Sequence, residues 1–408
     1  MAGIDTGDTA WIIVASALVM LMTPGLAFFY GGLVRRKNIL SIMMQCFILM
    51  GAITIQWVLF GYSLAFGPDH GGFIGGLSNA ALNGVGLEPS EGSTIPAQLF
   101  MIFQMMFAIL TPALIIGAFA ERMKFSGFLI FSLLWATLVY DPMAHWVWAA
   151  GGWIFELGAL DFAGGTVVHI NAGMAALAAC LVIGKRKGYP NQVSPPHNLP
   201  FAILGAALLW FGWFGFNSGS ALSAGAVATS AFVVTHIAAA TAAFAWAVIE
   251  WILRKKATAL GIISGAVAGL VAITPASGFV TPLGALAIGA LAGLICYLAV
   301  VYLKSKLGYD DTLDVFGIHG IGGIVGAVLT GFWAYSGVNG VDGLFHGNPG
   351  QLWRQVVAVV ACAAYSFVVS WILLKIVDKV IGLRVSSDEE NIGLDLTQHS
   401  ESAYTLVG

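Results

Sequence analysis

The chain has 408 residues, 59% of them hydrophobic and 9% charged, with a formal net charge of −3 at pH 7 and a mean hydropathy of +0.89. Soluble domains carry about a quarter charged residues, so this composition excludes a soluble globular fold and points to a polytopic membrane protein. A bilayer core of roughly 30 Å takes about 20 apolar residues per helix, which leaves room for about ten to twelve spans with short connections.

The N-terminal MAGIDTGDTA carries acids and no Lys or Arg before Arg35. It lacks the basic region of a cleaved signal peptide and reads as a short translocated tail. Predicted spans follow at 9–34, 39–66, 96–121, 125–149, 162–184, 199–222, 227–253, 258–276, 279–303, 314–335 and 351–376. The basic residues cluster as Arg35-Arg36-Lys37, Arg122 with Lys124, Lys185-Arg186-Lys187, Arg254-Lys255-Lys256, Lys304 with Lys306, then Lys375, Lys379 and Arg384; Arg354 stands apart. Between clusters the chain always holds enough apolar sequence for two crossings, with midway breaks such as GPDHGG at 67–72. The positive-inside rule therefore places every cluster in the cytoplasm. The expectation is an all-α protein of the cell membrane with eleven transmembrane helices, N-terminus out and C-terminus in. Residues 1–384 form its membrane domain, and 385–408 form a cytoplasmic tail.

Eleven spans divide into five, five and one, and an odd repeat must cross the bilayer in the reverse sense the second time. That is the arithmetic of an inverted repeat, with units at about 9–184 and 199–335. DFAGGTVVH at 161–169 echoes DVFGIH at 314–319, which aligns Asp161 with Asp314. Span 5 descends from the outer side, so His169 lies roughly 12 Å below its start, and span 10 brings His319 to roughly 8–12 Å from the inner edge. Both imidazoles approach the midplane, where a charge costs about 2.5–3.5 kcal/mol and histidine is driven toward its neutral form. Each histidine alone reads as a satisfied helix–helix contact. Two at matched depth in inverted repeats read as a pair that shares one hydrogen bond and turns its outer nitrogens to a lumen.

His145 and His236 sit on single helices with no echoing partner and read as structural; His70, His197, His346 and His399 fall in loops or the tail. Asp141, before Pro142, is expected to satisfy backbone that the proline frees. Asp161 is placed to cap the start of span 5. Cys46, Cys180, Cys296 and Cys362 lie inside spans without a CxxC pairing and read as small buried hydrophobes. Phe103 and Phe107 are i and i+4 on span 3, as are Phe216 and Ser220 on span 6. Depth puts Phe103, Trp148 and Ser220 in an outer layer with two ring faces and a hydroxyl, suited to a cation. Phe107 and Phe216 lie one turn deeper.

DFAGGTVVHINAG followed by GKRKG, with WFGWFGFNSGSA, FQMMFAILTPALIIGAFAERMKFSGFLIF, DVFGIHGIGGIVG and Tyr30-Gly31-Gly32, resembles the ammonium transporter family of Amt, MEP and Rh proteins over about residues 9–405. The resemblance implies an eleven-helix fold assembled as a homotrimer with one pore per subunit. It implies an outer ammonium site at Trp148, Phe103 and Ser220, ordered by Asp161, which also assists deprotonation. A phenyl gate follows at Phe107 and Phe216, and a pore histidine pair at His169 and His319. Trp148 and Phe107 favour the Amt branch. The tail SDEENIGLDLTQHSESAY resembles the regulatory tails of Amt proteins that dock a PII signal protein.

The expected activity is ammonium transport and not an enzymatic reaction, without cofactor, metal or nucleic-acid partner. Ammonium loses its proton near Asp161, ammonia crosses beside the histidines, and the proton following through the pair would make transport electrogenic. Three alternatives stand beside it: a sensor with little flux, a haem protein with His169 and His319 as axial ligands but no CxxCH site, and a retinal protein, which finds no mid-span Lys.

Overall fold

The computed structural model describes residues 3–191 and 195–404, so the end of the predicted tail at 405–408 lies outside the described residues. Among them, ten helices are long and apolar enough to cross a membrane. They are α1 (Thr6–Leu33), α2 (Arg36–Phe66), α3 (Ala97–Phe119), α4 (Phe125–Trp148), α5 (Gly165–Ile183), α6 (Leu199–Ser218), α7 (Ala226–Arg254), α9 (Pro282–Leu307), α10 (Phe316–Trp333) and α11 (Pro349–Ile381). An eleventh apolar helix, α8 (Ala259–Ile273), is shorter. The span predicted at 258–276 ends early because Pro275 cannot continue it; residues 274–279 turn instead. That turn brings the Pro275 carbonyl to the amide of Phe162, 3.2 Å away, just before α5.

Helix ends follow local chemistry. Asp5, Asn198, Thr258 and Thr281 each accept from an amide of the first turn of α1, α6, α8 and α9, and Pro282 and Pro349 stand at first helical positions, where no amide hydrogen is needed. π turns interrupt α2 (Trp57–Gly61), α4 (Ala136–Tyr140) and α9 (Ala299–Leu303), close α6 (Phe214–Ser218), and open α5 (Gly165–Ile170) and α10 (Phe316–Gly320). Such bulges re-aim side chains and concentrate at functional sites. Helix α1 packs along α6, and α7 along α8 and α9. Their glycines permit backbone approach: a Cβ on Gly205 would lie 2.1 Å from the Phe29 amide nitrogen.

Two short helices of the tail, Ser387–Ile392 and Leu394–His399, strap across the basic ends of α2, α4 and α5. Ser386 and Glu389 form a capping box at the first. The Leu394 amide donates to Asn38 Oδ1 (2.8 Å), the Ser41 amide to Asp395 Oδ1 (2.8 Å) and the Lys187 amide to Glu390 Oε1 (2.7 Å).

Candidate functional site

His169 and His319 occupy matching places in α5 and α10. Each lies in the opening π turn of its helix, and each stands eight residues after an aspartate. Asp161 Oδ1 accepts from the amides of Gly164 (2.8 Å) and Gly165 (2.6 Å); Oδ2 accepts from those of Thr166 (2.8 Å) and Val167 (3.3 Å) and from the Thr166 hydroxyl. Asp311 Oδ2 accepts from the Phe316 amide at 2.7 Å. Three residues after each aspartate the backbone turns left-handed, at Gly164 (φ 119°) and Asp314 (φ 62°). The counterpart of Asp161 is therefore Asp311 and not the Asp314 of the sequence echo. Asp314 instead pairs with Lys304 Nζ at 2.7 Å. Residues 161–164 form a capping loop outside the helix, so α5 starts at Gly165 and not at 162.

The two helices cross on glycine. A Cβ on Gly173 would lie 2.2 Å from the Gly320 amide nitrogen, and one on Gly323 would lie 3.1 Å from both the His169 Cβ and the Gly165 carbonyl oxygen. Both glycines come four residues after their histidine, so each helix offers its bare turn to the other helix beside the histidine. The rings end with Nδ1 atoms 3.2 Å apart and centroids 5.3 Å apart, at 27°.

Their tautomers follow from Thr274. Its hydroxyl donates to the Leu270 carbonyl (2.7 Å) and accepts from Trp213 Nε1 (2.9 Å). His169 Nε2 faces the same oxygen at 3.3 Å and so carries a hydrogen, since the hydroxyl's own is committed. His169 Nδ1 is then the acceptor, His319 Nδ1 the donor, and His319 Nε2 holds the remaining lone pair. A cavity of about 10 Å³ touches both rings and Trp213 and is otherwise apolar, with Leu114, Leu209 and Val267 in its wall. That is about the room one water-sized molecule needs.

Aromatic rings continue from the pair. Phe216 lies 5.9 Å from His169 at 17° and 4.4 Å from Phe107; Phe107 meets Phe103 edge-on at 5.0 Å and Trp148 at 5.9 Å. Phe103, Phe107, Trp148, Phe216, His169 and His319 thus form one contiguous ladder. Phe103 is fully buried, whereas Trp148 and Ser220 are half-buried. Trp148 Nε1 donates to the Asp161 carbonyl at 3.0 Å, and Ser220 Oγ turns back to the Phe216 carbonyl at 2.8 Å.

Thr274 and Trp213 were missed from sequence, although a proline inside an apolar run and WFGWFGF both mark the place. Asp141 does not serve the backbone near Pro142: its Oδ2 accepts from Gln56 Nε2 of α2 at 2.7 Å. His236 stacks against Trp210 at 5.5 Å. The four cysteines are buried and free. No group of three or more His, Cys, Asp or Glu placed to hold a metal occurs among the described residues.

At the basic end lies a cavity of about 550 Å³, lined in part by Arg35, Glu121, Lys185, Arg186, Lys304 and Asp314. Arg186 pairs with Asp310 at 2.8 Å and Glu121 at 3.3 Å, and Arg35 with Glu121 at 2.8 Å. Burial works against both carboxylates, yet the guanidinium groups outweigh it: Arg35 and Arg186 hold Glu121, and Arg186 holds Asp310, below the ordinary carboxyl value. A depressed carboxyl stabilises the fold above its unfolded value and loses that contribution as pH falls through the folded one. Amide exchange over 184–191, corrected for intrinsic rate, is expected to accelerate only below about pH 4. Glu121→Gln should reproduce the loss at neutral pH, lowering stability by about 3 kcal/mol in thermal unfolding.

These features define a multi-pass helical membrane protein with a small, mostly apolar buried cavity at one end of a ladder of rings. The chain belongs to the ammonium transporter family: the sequence model described as Ammonium Transporter Family matches residues 10–404. The ammonium transporter of Bacillus subtilis (strain 168) is 55% identical over 401 residues, covering 98% of this chain and 98% of its own. Ammonium transporter Amt1 of Archaeoglobus fulgidus is 53% identical over 400 residues, covering 98% and 99%. Among solved structures, Candida albicans Mep2 superposes with a TM-score of 0.91 at 38% identity over 99% of this chain and 94% of its own. A sensor Amt protein superposes at 0.90 with 31% identity over 96% and 98%.

Proposed function

We propose that the protein transports ammonium across the cell membrane. It does so as an eleven-span homotrimer of inverted repeats, N-terminus outside, with residues 1–384 as the membrane domain and 385–408 as a cytoplasmic regulatory tail able to meet a PII-type partner. The observation that carries the reading is the neutral imidazole pair, Nδ1 to Nδ1 at 3.2 Å, next to the packed phenyl rings of Phe107 and Phe216 and lining a mostly apolar cavity. The matching π turns of α5 and α10 support the repeat.

Ammonium is recruited at Trp148, Phe103 and Ser220, where ring faces attract a cation. Asp161 sets this site through Trp148, whose indole it holds by its carbonyl, and its negative charge favours the cation electrostatically; both carboxylate oxygens are already engaged by amides. Phe107 and Phe216 close the way to a hydrated ion. Potassium has no proton to give up, so only ammonium can shed its charge and cross as ammonia past His169 and His319, avoiding the cost of a bare cation at the midplane. For the proton to follow inward it enters at a bare His169 Nε2 while the shared hydrogen passes from His169 Nδ1 to His319 Nδ1 and the His319 Nε2 hydrogen leaves on the far side; this ends in the tautomers of the structure, which both rings reverse before the next cycle, and it makes transport electrogenic.

Currents recorded from proteoliposomes test this. An ammonium pulse is expected to move charge and a potassium pulse of equal concentration to move none. Uptake without current would make the protein a gas channel, and tail movement without uptake would make it a sensor.

A further inference from the structure

His145 lies in the last turn of α4 and is fully buried. Its Nδ1 stands 2.9 Å from the carbonyl oxygen of Ala65 in α2, and its Nε2 2.8 Å from Asp69 Oδ1. A backbone carbonyl only accepts, so Nδ1 carries a hydrogen; a carboxylate only accepts, so Nε2 carries one as well. A neutral ring has one N–H and would press a lone pair against one of these oxygens. Moving the proton to Asp69 is the worse solution: its side chain is 30% exposed, its Oδ1 also accepts from the Gly72 amide at 2.8 Å, and the His145 contact holds its carboxyl below the ordinary aspartate value.

We infer that His145 is held as an imidazolium by Asp69 and is a positioning residue for Trp148, a deepening of the recruitment site that rests on the function proposed above. Asp69 belongs to a hairpin pairing residues 69–70 with 74–75, and the ion pair is one of three ties from that hairpin to the end of α4 and the segment just after it. Trp146 Nε1 donates to the Phe73 carbonyl at 2.7 Å, and the Trp153 amide to the Gly72 carbonyl at 3.1 Å. The His145 carbonyl accepts the Ala149 amide at 3.2 Å, closing the turn that presents Trp148. A cation also suits a helix C-terminus. Because Asp69 balances the ring's charge, the clasp fixes Trp148 without adding net positive charge to repel an incoming cation. The other titratable groups around it are His70 on the hairpin, Asp141 one turn below on α4, and Glu156, whose Oε1 accepts from the Gly151 amide at 3.3 Å.

Solid-state NMR of full-length protein with ¹⁵N-labelled histidine, in lipid bilayers at pH 7, reads the ring directly. The signal that vanishes in His145→Asn should show two protonated nitrogens; one bare nitrogen overturns the assignment. Asp69→Asn, at a partly exposed position, keeps the test open if His145→Asn fails to fold. In that variant the same ring should lose a proton, and the KM for ammonium uptake should rise about fivefold while the maximal rate stays within about twofold. An unchanged KM overturns the positioning role. Absence of ammonium uptake in the wild type, with the ring doubly protonated, would instead sink the transport function and leave the charge assignment standing.

Discussion

Replacing His319 by alanine is expected to reduce ammonium-driven current by at least about a hundredfold, the scale on which a positioned acid–base group contributes. In the proposed relay His319 takes the shared hydrogen at Nδ1 and releases another from Nε2, so alanine removes both ends of one proton step. His169→Ala has the same result by another route. It removes the acceptor that orients His319 and one of the two donors to the Thr274 hydroxyl, which keeps its bonds to Leu270 and Trp213. Either variant also opens space beside a cavity of about 10 Å³, so a less selective passage that admits potassium is expected where the proton route is lost. Currents and potassium exclusion like those of the wild type in both variants would remove the histidines from the mechanism.

Asp161→Ala is expected to be the most damaging substitution to the fold near the site. The amides of Gly164, Gly165, Thr166 and Val167 all point at one carboxylate, in a position only 9% exposed. Stranding buried donors of this kind costs about 1–3 kcal/mol each where no water replaces the acceptor. A loss of about 4 kcal/mol in thermal unfolding is the expected net effect, with uptake lost because Trp148 is hung on the same loop. Asp161→Asn keeps one acceptor oxygen and should recover about half of the stability. If Asp161→Ala unfolds as the wild type does, the carboxylate does not hold the loop.

Much of the architecture was legible because membranes write it in coarse letters. The basic clusters and apolar run lengths anticipated the ten long apolar helices and the shorter α8, missing mainly their ends, but not the two short helices of the tail. Those ends depend on features that hydropathy does not see, such as Pro275 halting α8 and the loop 161–164 preceding α5. The histidine pair was legible as two matched depths, since polar groups deep in an apolar chain are few. The register of the match between α5 and α10 was not. Asp314 was chosen because a phenylalanine and a glycine follow it, whereas the physical equivalence lies in spacing: an aspartate, three residues to a left-handed turn, five more to the histidine. Thr274 was invisible because its role is to hold a third hydrogen bond on a hydroxyl already carrying two, a property of convergence in space. The same holds for His145, whose partner sits 76 positions away on another element.

The glycine crossing of α5 and α10 makes the seat of the histidine pair a jig. Backbone contact at Gly173 and Gly323, and not the bulk of surrounding side chains, sets how close positions 169 and 319 come. The chemistry mounted there can therefore be exchanged while its geometry is kept. Two designed side chains of suitable length, a carboxylate facing an imidazole or an amide facing an amide, would be presented to each other at nearly the same separation in an apolar tube. The protein is in that sense a ready frame for measuring how a single pair of groups passes a proton.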